Sequence, residues 1–197
     1  MSDAYAHLTQ LPYPRLRDFI HESGPVDLGQ RYVEDPWEAM ARTVTGQQVS
    51  THAAQSIWER VHRASDGDLF GSFLDAPERL EGCGLSRAKV RTLTELMRAG
   101  REGTLDLVWL ATQPMQTRLD HLLPFWGIGP WSVEMFSLFH ARDPDVWSPG
   151  DLALKKGAAG FAEGGDPDAL VEAARPFRSY LALYCWRAAN ANLFAER

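Results

Sequence analysis

Asp151, preceded by Ser148-Pro149-Gly150, follows the glycine pair of Gly127-Ile128-Gly129 by 22 positions (151 minus 129). An aspartate after a Pro-Gly turn and before the apolar run from Leu152 stands at the mouth of a helix, where its side chain can cap the first amides. A carboxylate held there can also stabilise positive charge developing in a substrate, or orient a water. The glycine pair separates a helix ending at Leu122-Leu123-Pro124 from one beginning at Trp131-Ser132-Val133. Glycines at 127 and 129 permit positive φ and leave the backbone bare. Backbone N–H groups there and at the following helix N-terminus can donate to a phosphate without any lysine. Gly-x-Gly is also the ordinary chemistry of a helix–helix turn, and the spacing alone leaves both readings open.

The elements that must position these residues read almost entirely as helix. Apolar periodicity and end signals predict helices over Arg15–Glu22, Pro36–Thr45, Ser50–Arg63, Ser86–Arg101 and Pro114–Pro124. Four more follow at Trp131–His140, Leu152–Gly160, Pro167–Ala174 and Phe177–Asn192. Alternating apolar runs are few, so the fold class is all-α. In the Ser86–Arg101 helix, Val90, Leu93, Leu96 and Met97 share one face, while Arg87, Arg91, Arg98 and Arg101 fall on an arc of about 80° opposite. That arc fits either a solvated face or a stripe that tracks phosphates. Ser86 is the expected N-cap. In the last helix Phe177, Tyr180, Leu181, Tyr184 and Ala188 form the main stripe. Trp186 points away from it, either into a second packing face or towards a ligand.

Bulk properties narrow the class. The chain has 197 residues, 45% of them hydrophobic with seven tryptophans, which describes a folded globular protein of one or two domains. No apolar run approaches the ~20 residues that span a bilayer, and Met1–Tyr13 shows no secretion signal. Cys83 and Cys185 are the sole cysteines, which excludes a disulfide framework and a four-cysteine zinc or iron–sulfur site. A reducing cytoplasm is the expected compartment. The six histidines show no metal-ligand spacing, so no metal is expected. Net charge is −6, which opposes simple electrostatic binding to nucleic acid. The sign is local, however. Residues 1–40 hold seven acids against Arg15, Arg17 and Arg31, whereas residues 86–101 hold Arg87, Lys89, Arg91, Arg98 and Arg101 against Glu95 alone.

The run Leu123-Pro124-Phe125-Trp126-Gly127-Ile128-Gly129-Pro130-Trp131-Ser132 resembles the helix-hairpin-helix of the DNA glycosylase superfamily that carries a Gly/Pro-rich loop and an aspartate. In detail it is similar to the bacterial 3-methyladenine DNA glycosylase II branch. Pro149-Gly150-Asp151-Leu152 matches the aspartate segment, Gly46-Gln47-Gln48-Val49-Ser50 the Gly-Gln-x-Val-Ser motif, and Arg178-Ser179-Tyr180 with Leu183 and Trp186 the C-terminal helix. The resemblance implies two helical subdomains flanking a DNA-binding cleft, one over 37-143 and the other made of 1-36 plus 144-197. It also implies that the β-rich N-terminal domain of longer members, with its pocket aromatic, is not part of this chain. A monofunctional hydrolase of the N-glycosidic bond of alkylated purines (3-methyladenine, 7-methylguanine), working in base excision repair by base flipping, is the implied activity.

Site residues follow from that resemblance. Asp151 is the expected catalytic carboxylate, stabilising an oxocarbenium-like sugar and orienting water. Trp131 and Trp186 match the pocket tryptophans, suited by cation–π attraction to a cationic base. Met135 stands where a pocket tyrosine is expected. Members with strand-nicking activity carry a lysine at the position of Trp131, so no Schiff base is expected. Gly127, Ile128, Gly129, Trp131 and Ser132 are the expected contacts to the DNA backbone. Arg87, Arg91 and Lys155 are expected phosphate contacts, with solvent the alternative for Lys155. Leu85 is the expected wedge filling the gap left by a flipped base, or else a leucine tucked under its own turn. No cofactor is expected apart from a structural monovalent cation at the hairpin. The expected partner is damaged double-stranded DNA, bound by a monomer associated with the nucleoid, and no membrane. Two other readings stay open: a non-catalytic binder of distorted DNA indifferent to Asp151, and a glycosylase for mismatched or oxidised bases.

Overall fold

The computed structural model describes residues 3–194, and among them every regular element is helical. Chain order begins with α1 (Asp3–Gln10) and α2 (Pro14–Ser23), then a 3-10 turn at Leu28–Arg31. It continues with α3 (Pro36–Gly46), α4 (Thr51–Ser65), α5 (Leu69–Leu74), α6 (Arg87–Arg101) and α7 (Leu107–Ala111). A hairpin of α8 (Met115–Leu122) and α9 (Pro130–Phe139) follows, and α10 (Leu152–Ala162), α11 (Pro167–Ala173) and α12 (Arg178–Asn190) complete the set. Three helices escape sequence periodicity: α1, α5 and α7. The last two are six and five residues long, too short to show a 3.6-residue repeat. Their caps are nonetheless written in the chain, since Asp68 accepts from Gly71 N at 2.8 Å and Asp106 from Trp109 N at 2.9 Å.

Two compact units result, one from the described residues up to Arg31 and from Arg142 onward, the other from Tyr32–Ala141. The seams fall at 31/32 and 141/142, where the sequence reading has 36/37 and 143/144. Local bonds explain the difference. Val33 packs against the core of the second unit, and its carbonyl accepts from His140 Nδ1 at 2.8 Å. The Asp143 carbonyl accepts instead from Ser179 Oγ on α12, at 2.6 Å.

In the first unit α12 lies on α10, burying Leu181, Ala182, Tyr184, Cys185 and Ala188 with Leu154, Ala158 and Phe161. The helices meet at Gly157, where only a bare Cα fits beside Cys185. Arg187 donates to the Ser23 and Gly24 carbonyls (2.7 and 3.1 Å), satisfying the end of α2 with a positive charge where the helix dipole favours one.

The second unit is built around α3, whose Met40, Ala41 and Val44 are buried with Ile57, Trp58 and Val61 of α4. On α6 the predicted face is the buried one: Leu93 and Leu96 are fully buried, Met97 nearly so, and Val90 half-buried. Ser86 caps α6 as expected, accepting from Lys89 N at 3.3 Å. Among the described residues no helix is long and apolar enough to cross a membrane.

Replacing Gly157 with alanine sets two effects against each other. Helix propensity favours alanine by about 1 kcal/mol. The new Cβ would sit 2.9 Å from the Cys185 Cα, a backbone atom that cannot step aside. Overpacking of this kind costs about 1–3 kcal/mol. Gly157→Ala is therefore expected to lower stability by about 0–2 kcal/mol in urea unfolding; a higher midpoint would refute the close contact.

Candidate active site

The hairpin is held from beneath. Gly127 has φ +79°, a left-handed conformation that a side chain resists, and a Cβ there would strike Thr92 Oγ1 on α6. Between the glycines, Ile128 turns inward and is buried, joining the core of its unit. The helix start that follows has Gly129 as N-cap and Pro130 in the first turn, so a missing N–H falls where it does no harm. Among the described residues the N–H groups of Gly127 and Gly129 meet no acceptor, while Ile128 N bonds to Phe125 O and Ser132 N to Gly129 O. Two such amides next to a helix N-terminus form a place for an anion.

Ser132, expected to touch DNA, does not face outward. It is 2% exposed, and its Oγ accepts from Gln47 Nε2 at 2.8 Å. The same Gln47 amide donates to the Gly127 carbonyl at 3.0 Å. Gln47 belongs to Gly46-Gln47-Gln48-Val49-Ser50, a motif that sequence reasoning notices without giving this residue a task. Nothing local signals the task, because its partners lie 80 and 85 positions away. A cation at the hairpin would rest on backbone carbonyls. Those of Phe125, Gly127 and Gly129 each already accept a hydrogen bond.

Asp151 caps α10 as the sequence predicts. Its Oδ1 accepts from Ala153 N and Leu154 N at 2.9 and 3.1 Å. The other oxygen, Oδ2, accepts from Trp186 Nε1 on α12 at 3.3 Å. Trp186 thus has an orienting contact with the carboxylate, which the aromatic-pocket expectation did not include. The approach to Asp151 is anchored by α12 as well. Arg178 grips Asp145 with Nε–Oδ1 at 2.7 Å and Nη2–Oδ2 at 3.0 Å, while Ser179 Oγ holds the Asp143 carbonyl and accepts from Val146 N. This explains the sequence Arg178-Ser179 at the start of α12. Cys185 is fully buried, and burial first, then the Asp151 charge, push its thiol far above the usual range. It stays protonated and is no nucleophile.

The remaining candidates divide. Arg87 and Lys155 are exposed. Arg91 is exposed but engaged: its Nε meets Glu95 at 2.8 Å, and its guanidinium lies 4.3 Å from the ring centre of Trp126. Arg101, on the same arc, is bound by Asp75 through both carboxylate oxygens. The stripe is therefore partly neutralised in place. Leu85 is half-buried and packs against the core of its unit, the tucked alternative rather than a ready wedge. Met135 is 4% exposed, a buried residue of α9 with almost no surface to offer a base. Trp131 and Trp186 are both half-buried. A feature that sequence reasoning passed over is Gln48, exposed and at φ +55°, followed by the exposed Val49. Left-handed backbone at a non-glycine residue is uncommon; Asp66 and Glu163 share it as helix C-caps, whereas Gln48 adopts it in a loop. Among the described residues no group of three His, Cys, Asp or Glu side chains is placed to hold a metal.

An all-helical chain with a braced Gly-Ile-Gly hairpin and a capped, indole-bound aspartate defines a recognisable class. No family model matches the sequence. Curated relatives do. The chain is 28% identical over 129 residues to DNA-3-methyladenine glycosylase 1 of Schizosaccharomyces pombe, covering 63% of this chain and 57% of that protein. It is 33% identical over 136 residues to the DNA-3-methyladenine glycosylase of Saccharomyces cerevisiae (64% and 46%), and 27% over 169 residues to DNA-3-methyladenine glycosylase 2 of Escherichia coli (77% and 57%). The chain spans about half the length of these relatives. A crystal structure of a DNA-3-methyladenine glycosidase from Bacillus halodurans superposes with a TM-score of 0.76 at 28% identity, over 96% of this chain and 90% of that one. The Schizosaccharomyces pombe 3-methyladenine DNA glycosylase in complex with abasic DNA shares the fold, with a TM-score of 0.79 at 23% identity over 96% and 97%. The chain belongs to the helix-hairpin-helix DNA glycosylase superfamily.

The two hairpin glycines differ in a testable way. Gly129 has ordinary φ (−113°) and open space where a Cβ would stand, whereas Gly127 has neither. Gly127→Ala is expected to cost about 1–3 kcal/mol of stability, and Gly129→Ala less than about 0.5 kcal/mol, both read by thermal or urea unfolding. Equal effects would contradict the braced geometry.

Proposed function

We propose that this protein is a monofunctional DNA glycosylase that hydrolyses the N-glycosidic bond of alkylated purines, 3-methyladenine and 7-methylguanine among them, in the base excision repair of DNA. The observation that carries the reading is Asp151, fixed at the N-terminus of α10 by two amides on Oδ1 and by the Trp186 indole on Oδ2. Sequence relatives bearing the name DNA-3-methyladenine glycosylase supply the substrate class.

The chemistry follows from the residues. A flipped alkylpurine carries positive charge; when the C1′–N bond breaks, the bond's electron pair goes to the base, which leaves neutral. The positive charge passes to the sugar as an oxocarbenium-like state, and the Asp151 carboxylate stabilises it electrostatically. Water then adds to C1′ and gives up a proton, leaving an abasic sugar. Trp131 has no amine for a Schiff base, so the backbone strand is left intact. Trp131 and Trp186 offer aromatic surface to the cationic base. The amides of Gly127 and Gly129 hold one phosphate of double-stranded DNA, aided by Arg87 and Lys155. For the space vacated by the flipped base, the exposed and strained Gln48-Val49 tip is the better-supported plug, since Leu85 would first have to leave its core contacts. The acting unit we propose is a monomer working where the cell's DNA lies, the nucleoid in a bacterium.

Two measurements test the reading. Purified protein incubated with methylated DNA is expected to release free methylated bases without nicking the strand. Asp151→Asn keeps an oxygen for the cap and Asp151→Ala does not, so Asp151→Ala is expected to be less stable by about 1 kcal/mol, while both lose base release by at least about 100-fold. Release near wild-type in both variants would end the assignment of Asp151. Binding to DNA at varied salt separates the arginines. Arg87→Ala is expected to reduce the log–log salt slope by about 0.9, as for one lost phosphate contact, and Arg91→Ala by clearly less, because Glu95 already neutralises it.

A further inference from the structure

Two loops of the second unit carry features suited to handling a duplex, and a single side chain joins them. The first is the hairpin, where the Gly127 and Gly129 amides meet no acceptor among the described residues. The second runs from Thr45 to Ser50 at the end of α3, with the strained Gln48 and exposed Val49 at its tip. Lys89 of α6 donates from Nζ to the Thr45 carbonyl at 2.8 Å, fixing where the second loop begins. Gln47 N closes α3 on Val44 O at 3.2 Å, and Ser50 starts α4 by accepting from Ala53 N at 3.2 Å. Between these anchors the Gln47 carboxamide reaches across to the hairpin. Its Nε2 donates to the Gly127 carbonyl at 3.0 Å and to Ser132 Oγ at 2.8 Å.

The two partners are well chosen for a brace. Gly127 is the hairpin residue with left-handed backbone, and fixing its carbonyl holds the peptide plane that leads into Ile128. Ser132 lies in the first turn of α9, buried to 2% exposure, and so ties the helix start to the same amide. From the other side Thr92 stops the hairpin from sinking further. The backbone of Gln47 directly precedes that of Gln48, so the residue that pins the hairpin also sets the base of the exposed tip.

We propose that Gln47 is a positioning residue that locks the Gln48-Val49 tip and the phosphate-binding hairpin in one register, so that opening the duplex and holding its backbone occur at a fixed spacing. Gln47 touches no reacting atom. Its role rests on the glycosylase reading, and its own prediction is specific. Each loop keeps its own chemistry without Gln47, but the two no longer act at a set distance. Loss of the side chain then spares general DNA binding and harms the recognition of an opened site.

The test compares wild type, Gln47→Ala and Gln47→Glu on three probes: an undamaged duplex, the same duplex with a tetrahydrofuran abasic analogue, and a duplex with 2-aminopurine beside the lesion. The expected result for Gln47→Ala is undamaged-duplex affinity within about two-fold of wild type, with an unchanged salt slope. Preference for the abasic duplex is expected to fall about ten-fold, the effect of losing a pair of modest hydrogen bonds. The 2-aminopurine signal should fall with it. Gln47→Glu keeps the shape but sets an acceptor against the Gly127 carbonyl, and should be at least as impaired. Equal weakening on damaged and undamaged duplex, or unaltered abasic preference in a folded Gln47→Ala, would overturn the proposal. Should Gln47→Ala fail to fold, Ser132→Ala removes one of the two bonds, and a partial loss of abasic preference decides in the same way; no loss overturns it. Wild-type protein that neither prefers abasic DNA nor releases methylated bases would instead bring down the glycosylase reading itself.

Discussion

One carboxylate organises the first unit. Asp151 has two oxygens with separate partners: two backbone amides meet one, an indole N–H the other. Helix architecture supplies three of its donors. The N-terminus of α10 gives two, and α12 gives the third. For α12 to deliver Trp186 it must lie close along α10, and that closeness rests on Gly157 and on Arg178 holding the segment before Asp151. A small residue six positions after the carboxylate, and an arginine that holds Asp145 six positions before it, thereby control its aim.

The second unit solves a different problem with similar economy. Backbone amides bind an anion only if the chain is bare and rigid at that point. Gly127 and Gly129 make it bare. Rigidity comes from Ile128 in the core and Thr92 beneath, while Gln47 ties the hairpin to the neighbouring loop. An acidic chain can hold a phosphate in this way because the donors are peptide groups, whose charge separation does not appear in the net charge of −6.

Much of this was legible in the sequence, for identifiable reasons. Helices of ten or more residues display their period, and the caps at Asp151 and Ser86 announce themselves by residue type next to an apolar run. The superfamily is read from contiguous motifs, and the comparisons bear it out. Short helices such as α5 and α7 were lost because a single turn has no period. Side-chain direction was lost wherever it depends on tertiary neighbours. Ser132 reads as a helix-start donor and proves to be an inward anchor for Gln47. Leu85 reads equally as a wedge or a tucked leucine, and it lies half-buried against the core. Trp186 was placed on the correct off-stripe face of α12, yet its bond to Asp151 joins residues 35 positions apart, and no local pattern encodes that.

The charge state of α6 has a consequence for the way such a protein would move. Its arginines include Arg91, engaged by Glu95 and Trp126, and Arg101, engaged by Asp75. These two arginines therefore add little to counterion release when the helix meets an intact duplex. Encounters with intact DNA would be brief and nearly independent of where they occur. Residence would lengthen only where a base can leave its stack and bring the aromatic and carboxylate groups into play. Under the proposed function, such a protein finds its target by many short visits, with dwell time rather than arrival rate separating damaged from undamaged sites.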